Sequence, residues 1–160
     1  MTSLNDIYIQ YSEDVYRFSL GLYGDPMWAE DITSEAFVRA FVSPSPIRVA
    51  TARAYLLTIA RNLYLRTWHK ERRNSPLEEN YRFTKLGPET VAENREKLNI
   101  ILMALQELPE IDRSALLIRA QENLSFRDIA ISLGISLSAV KVKIHRARIK
   151  LAKIFEESNL

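Results

Sequence analysis

Apolar residues recur three and four positions apart along most of the chain, and the breaks in that rhythm mark the ends of elements. Leu4, Ile7, Tyr11, Val15, Phe18 and Leu22 trace one face of a helix predicted over 4–22. Gly24 interrupts the pattern, and Asp25-Pro26 restarts it. Asp25 is placed as N-cap, where its carboxylate accepts an orphan backbone N–H, and Pro26 occupies the first helical position, which needs no N–H. Ala29, Ile32, Ala36 and Ala40 form the inward stripe of this second helix, which runs to about Val42. Ser43-Pro44-Ser45-Pro46 predicts a loop, because proline lacks a donor and restricts its predecessor.

A long helix is predicted from about Val49 to Arg73, with Ala52, Leu56, Ile59 and Leu63 inward and Thr58, Arg61, Asn62 and Arg66 outward. Residues 74–90 lack a clean period and hold Pro76, Gly87 and Pro88, which is the pattern of a linker. Val91, Leu98, Ile101, Leu102 and Leu105 resume the helical rhythm from near Glu89 to Leu108, where Pro109 breaks it. Three more helices are predicted, over 110–121, 125–132 and 136–155. Glycine occurs only four times, while Leu, Ala, Ile, Glu, Lys and Arg dominate, so helix is favoured over sheet. The reading is an all-α chain of two small helical domains, 1–73 and 92–160, joined by a linker over 74–91.

The segment from Ser125 to Leu151 carries the sharpest local signal. Ser125 is placed as an N-cap and Ser136 as the next. Ala130 allows close helix crossing, and Gly134 four residues later permits the positive φ of a tight turn. Val140, Ile144, Ala147 and Leu151 form the inward stripe of the last helix, leaving Ser138, Val142, His145 and Ile149 on the opposite face. Between Ser136 and Lys153 lie six Lys or Arg residues and no acid, which is more than an ordinary solvated face requires. The pattern is that of a helix-turn-helix with a basic recognition helix, whose early residues meet base edges in the major groove while its cations neutralise phosphates.

Charge sorting changes the picture that the net charge of +2 conceals. Residues 1–46 hold seven acids against Arg17 and Arg39, and residues 47–73 hold seven bases against Glu71. Residues 74–123 are net acidic and 124–160 net basic. Two basic blocks imply two contacts with a polyanion, and the acidic blocks leave surface for another partner. Basic residues mixed with Tyr55, Tyr64 and Trp68 on the long helix suit single-stranded DNA, whose bases stack on rings, although rings at such positions also serve as core. Cysteine is absent, which excludes disulfides and Cys-based zinc sites. No signal-peptide pattern or membrane span is visible, so a cytoplasmic protein without membrane insertion is expected. His69 and His145 are the only histidines and fall in different domains, and no phosphate loop or catalytic triad pattern occurs. Neither a catalytic site, a metal nor a cofactor is expected.

The upstream half decides among helix-turn-helix proteins. Asp25-Pro26, followed by Ala29-Glu30-Asp31-Ile32-Thr33-Ser34-Glu35-Ala36-Phe37, resembles the second region of extracytoplasmic-function sigma factors of the sigma-70 family. Arg53-Ala54-Tyr55-Leu56 with Ile59-Ala60-Arg61-Asn62 resembles their melting and −10 region, with Tyr55 standing where the family usually has Trp. Leu108-Pro109 with Arg113, Leu124-Ser125-Phe126 with Asp128-Ile129-Ala130, and Val140-Lys141 with Ile144-His145-Arg146-Ala147-Arg148 resemble their fourth region. The resemblance covers both expected domains in the family's order, as sigma domain 2 and sigma domain 4.

The resemblance implies a promoter-recognition subunit of bacterial core RNA polymerase. Asp31, Ser34 and Glu35 would bind the β′ clamp. The loop from Ser43 to Arg48, with Ser45, would capture a flipped −10 base, and Arg53, Tyr55, Arg61, Asn62 and Arg66 would contact the −10 strand. Ser138, Lys141, Val142, His145, Arg146 and Arg148 would read the −35 duplex, and the apolar rim near Leu116 and Leu117 would grip the β flap. An anti-sigma factor is an implied partner, and a closed packing of the two domains is an alternative mode of silencing. The competing reading is an autonomous helix-turn-helix regulator that binds duplex DNA without polymerase. It lacks support from the first domain, which has its own basic helix. A pure interaction module, such as a sigma mimic, is disfavoured by the intact basic recognition helix.

Overall fold

The first helix begins where its cap allows. Ser3 Oγ accepts from the Asp6 N–H and the Asp6 carboxylate accepts from the Ser3 N–H, so two orphan donors are satisfied reciprocally. The computed structural model describes residues 3–42, 51–71, 92–121 and 124–158. Among them are seven α-helices: α1 (Leu4–Tyr23), α2 (Pro26–Val42), α3 (Ala52–Glu71), α4 (Ala92–Gln106), α5 (Glu110–Arg119), α6 (Phe126–Leu133) and α7 (Leu137–Glu157). Gly24 ends α1 at a φ of +81°, a conformation that costs a side-chain-bearing residue. Asp25 Oδ1 then accepts from the Met27 N–H at 2.9 Å, so the N-cap read from the sequence is present. None of the described helices is long and apolar enough to cross a membrane. The Ser43–Pro46 loop and the 74–91 linker lie outside the described residues.

α1, α2 and α3 pack through Val15, Phe18, Leu22, Ile32, Phe37, Leu56 and Leu57. The same buried cluster continues into α5, α6 and α7 through Ala115, Ile118, Ile129, Val140 and Ile144. A smaller cluster of Leu102, Leu105, Leu108 and Ala147 seats α4 on α7. The two helical units therefore lie directly against each other, with α1 and α3 facing α4, α5 and α6.

Three polar and steric devices define that contact. Arg113 on α5 is almost fully buried, and its Nη2 donates to the Tyr64 hydroxyl of α3 at 2.6 Å. Its Nη1 donates to the carbonyls of Leu105 and Leu108, at 3.4 and 3.0 Å, and so adds partners to the chain at the end of α4. Gln106 Nε2 donates to the Gly21 carbonyl in the last turn of α1 at 3.0 Å. Gly21 itself lets α5 approach: a Cβ there would lie 2.6 Å from Leu117 Cδ2.

The packing of α3 departs from the single stripe expected. Ala52 is exposed, whereas Ala54, Leu57, Ala60 and Tyr64 are buried beside Leu56, Ile59 and Leu63. Thr58 is buried too, not outward, and its hydroxyl donates to the Ala54 carbonyl at 2.7 Å. The reason is that α3 is enclosed from two sides, by α1 and α2 on one and by α6 on the other. Leu4 and Ile101, expected inward, are exposed near helix ends and edges that no neighbour covers among the described residues.

Gly21→Val places branched carbons against Leu117. It is expected to lower stability by about 1–3 kcal/mol, the usual cost of overpacking, read as a fall in the thermal unfolding midpoint. An unchanged midpoint would mean that the Leu117 contact carries no weight.

Candidate nucleic-acid interface

The helix-turn-helix is assembled from local rules. Ser125 and Asp128 form a second reciprocal capping box at the start of α6. At its end, Gly134 has a φ of +67°. The Ile135 N–H donates to the Ala130 carbonyl at 3.1 Å, and the Gly134 N–H to the Ile131 carbonyl at 3.3 Å. These two bonds are the Schellman pairing, which reverses the chain within a few residues. Ser136 Oγ then accepts from the Ala139 N–H and starts α7. Val140, Ile144 and Ala147 point into the core, and Leu151 is partly buried.

The opposite face of α7 is open. Ser138, Lys141, Val142, His145, Arg146 and Arg148 are all exposed, together with Leu137 and Ile149. The expected −35 residues are thus brought to one surface, a basic face with short and apolar side chains along it. Such a face can meet base edges and thymine methyls, with cations at its flanks for phosphates. One flank is organised by Phe126. The Arg119 guanidinium lies 4.3 Å from its ring centroid and Lys141 Nζ 5.8 Å, both within reach of the ring's negative face. The other flank is Arg146, whose Nε and Nη2 bond the two carboxylate oxygens of Asp112 at 2.8 Å each. Those bonds favour the charged guanidinium and raise its pKa.

The face of α3 is less accessible. Arg61 is paired bidentately with Glu110 of α5, at 2.7 and 3.1 Å, and Ser114 Oγ donates to the same carboxylate at 2.7 Å. The pair is largely enclosed, with side chains 12% and 22% exposed. Arg53 pairs with Asp14 at 3.2 Å and sits near the Tyr11 ring, and Tyr55 is half-buried. Asn62 and Arg66 are exposed. Ser45 and Arg48 lie outside the described residues, so the expected −10 set is only partly gathered. Tyr64, an aromatic candidate for stacking, is core: it is 1% exposed and bonded to Arg113. Burial lowers the pKa of that Arg113 guanidinium, an effect opposed by Tyr64 and Glu110.

Asp31, Ser34 and Glu35 share an exposed face of α2 with Val38, and Glu35 pairs with Arg39 at 3.1 Å. Leu117, expected on a free rim, instead packs on Gly21. Sequence reasoning missed Glu110 and Asp112 as partners of site cations. Both stand in the first turn of α5, where the helix dipole favours acids anyway, and that position hides their long-range role.

Comparison with known proteins agrees with this geometry. The family Sigma-70 region 2 matches residues 7–74, and Sigma-70, region 4 matches residues 98–151. The chain is 31% identical to the ECF RNA polymerase sigma factor SigE of Mycolicibacterium smegmatis, over 94% of this chain and 61% of that protein. It therefore spans only about three fifths of that relative's length. It is 27% identical to the RNA polymerase sigma factor YlaC of Bacillus subtilis, over 98% of this chain and 94% of that one. Among solved structures, the fold is similar to the sigma factor RpoE in complex with the anti-sigma factor NepR from Bartonella quintana. That match has a TM-score of 0.75, 18% identity and coverage of 98% of both chains. It is also similar to CnrH in complex with the cytosolic domain of CnrY, with a TM-score of 0.69, 21% identity and coverage of 96% and 88%.

Glu110→Gln weakens the hold on Arg61. It is expected to raise the affinity of the free protein for a single-stranded oligodeoxynucleotide severalfold at low salt, measured by fluorescence anisotropy. An unchanged affinity would place Arg61 off the nucleic-acid path.

Proposed function

The chain belongs to the extracytoplasmic-function sigma factors of the sigma-70 family, and from that premise we propose that it binds bacterial core RNA polymerase and directs promoter-specific initiation. The observation that carries this reading is the pairing of a region 2 match with a region 4 match whose recognition helix presents a one-signed, exposed basic face. The division into 1–73, a linker over 74–91, and 92–160 is supported by the limits of those matches.

The roles divide by chemistry. Ser138, Lys141, Val142, His145, Arg146 and Arg148 read and grip the −35 duplex, with Lys and Arg neutralising phosphates and the short side chains approaching bases. Arg53, Tyr55, Arg61, Asn62 and Arg66 hold the displaced −10 strand, with Ser45 and Arg48 from the loop before α3. Asp31, Ser34 and Glu35 dock on the β′ clamp. The protein is not an enzyme: binding, strand capture and release are its work, and bond chemistry stays with the polymerase. Its place of action is the cytoplasm, where polymerase and promoters are.

The closed packing bears on how this happens. The −35 and −10 elements are about 25 base pairs apart by name, roughly 85 Å of B-form axis at 3.4 Å per base pair. Two units joined through Arg61–Glu110 and Arg113–Tyr64 cannot span that distance. Promoter engagement therefore requires them to part, and the closed form is the silent one. An anti-sigma factor is a further expected partner, in line with the NepR complex in which one structurally similar sigma factor was solved.

Run-off transcription with purified protein, core polymerase and fragmented genomic DNA tests the reading. Discrete transcripts absent from the core-only control are expected, sharing a −35/−10 pair. No transcripts, with tight duplex binding by the protein alone, would favour an autonomous regulator. Asp31→Ala with Glu35→Ala is expected to weaken capture by core polymerase about tenfold, as expected when central interface charges are truncated. Unaltered capture would remove those residues from the clamp contact.

A further inference from the structure

One carboxylate of the fold is spent on a cation of the recognition face. Asp112 is 1% exposed, and a buried carboxylate is tolerated only when paired. Its partner is Arg146, gripped side-on through Nε and Nη2 at 2.8 Å each. The Arg146 side chain is nevertheless 57% exposed. A guanidinium has five N–H donors in a rigid plane, so this grip leaves three, on the edge turned away from Asp112. The two residues sit on different helices, α5 and α7, and Arg146 follows His145 directly and Val142 by one turn. An arginine on an open helix face would otherwise sample many rotamers. Here α5 holds both its place and its plane before any DNA arrives.

We propose that Asp112 is a positioning residue for duplex recognition: it presents the free edge of Arg146 to the −35 DNA in a fixed orientation. This rests on the reading of α7 as the −35 helix. Asp112 does not touch DNA in this role. Its charge alone would act the other way, because a carboxylate near the interface repels phosphates. Simple electrostatics therefore predicts that Asp112→Asn tightens binding, whereas loss of positioning weakens it. A purely structural role in joining α5 to α7 would lower the unfolding midpoint and leave the affinity for DNA unchanged.

The test uses holoenzyme assembled from full-length variants and core polymerase, titrated onto a promoter fragment recovered by run-off transcription. Arg146→Ala is expected to weaken binding about tenfold, the scale of one lost DNA contact. Asp112→Asn is expected to weaken it about threefold to tenfold. The double variant is expected to bind no more weakly than Arg146→Ala alone, since Asp112 has nothing left to position. An unchanged affinity for Arg146→Ala overturns the reading of α7 at this residue, and the proposal with it. A loss in Arg146→Ala with unchanged or tighter binding by Asp112→Asn overturns the proposal alone. So does an Asp112→Asn loss that persists undiminished without Arg146. If Asp112→Asn does not fold, Arg146→Lys keeps the charge but cannot form the fork. It is expected to lose binding to a similar extent, and wild-type affinity for it would overturn the proposal.

Discussion

The buried guanidinium of Arg113 is the constraint on which the arrangement turns. A charge taken out of water must be met by hydrogen-bond acceptors, and breaking such a set is strongly destabilising. Arg113 finds its acceptors in three places: Leu105 and Leu108 at the end of α4, and the Tyr64 hydroxyl of α3. One side chain thus sets the turn from α4 into α5 and the seat of both against the N-terminal helices. The neighbouring devices follow from that seat. Gln106 reaches the Gly21 carbonyl, and Leu117 fills the space that Gly21 leaves without a Cβ.

α5 is short, yet its polar residues reach α3, α7 and the end of α4. Glu110 holds Arg61 of α3, Asp112 holds Arg146 of α7, and Arg113 holds Tyr64. The two carboxylates grip their cations alike but with different consequences. The Arg61 pair is enclosed between the two units, so its cation is withheld from any ligand while they remain together. The Arg146 pair lies within one unit with the cation still exposed, so the cation is oriented without being withheld. Burial, not distance, separates a latch from a brace.

The exposed surfaces fit a protein whose partners are large and differently charged. The open face of α7 is basic, with short and apolar side chains along it, and the open face of α2 carries Asp31, Ser34 and Glu35. They belong to units with separate caps and separate inward stripes.

Local rules were legible in the chain itself. The caps at Asp25, Ser125 and Ser136, the positive-φ turn at Gly134 and the inward stripe of α7 depend on residues within a few positions of one another, and the structure has each of them. The open basic face of α7 followed from the same periodicity. Contacts between distant helices were not legible, because nothing in the spacing of Arg61, Tyr64, Glu110, Asp112 or Arg113 tells which distant group each will meet. Tyr64 read as one of the rings suited to stacking, Thr58 as outward, and Leu117 as part of a free rim. Helix periodicity reports one buried face per helix, and α3 is covered on two. The helices, the capped ends and the resemblance to the family could be read from the residues alone. Only the tertiary structure decided which cations stand free and which are held, because that depends on carboxylates brought from tens of residues away.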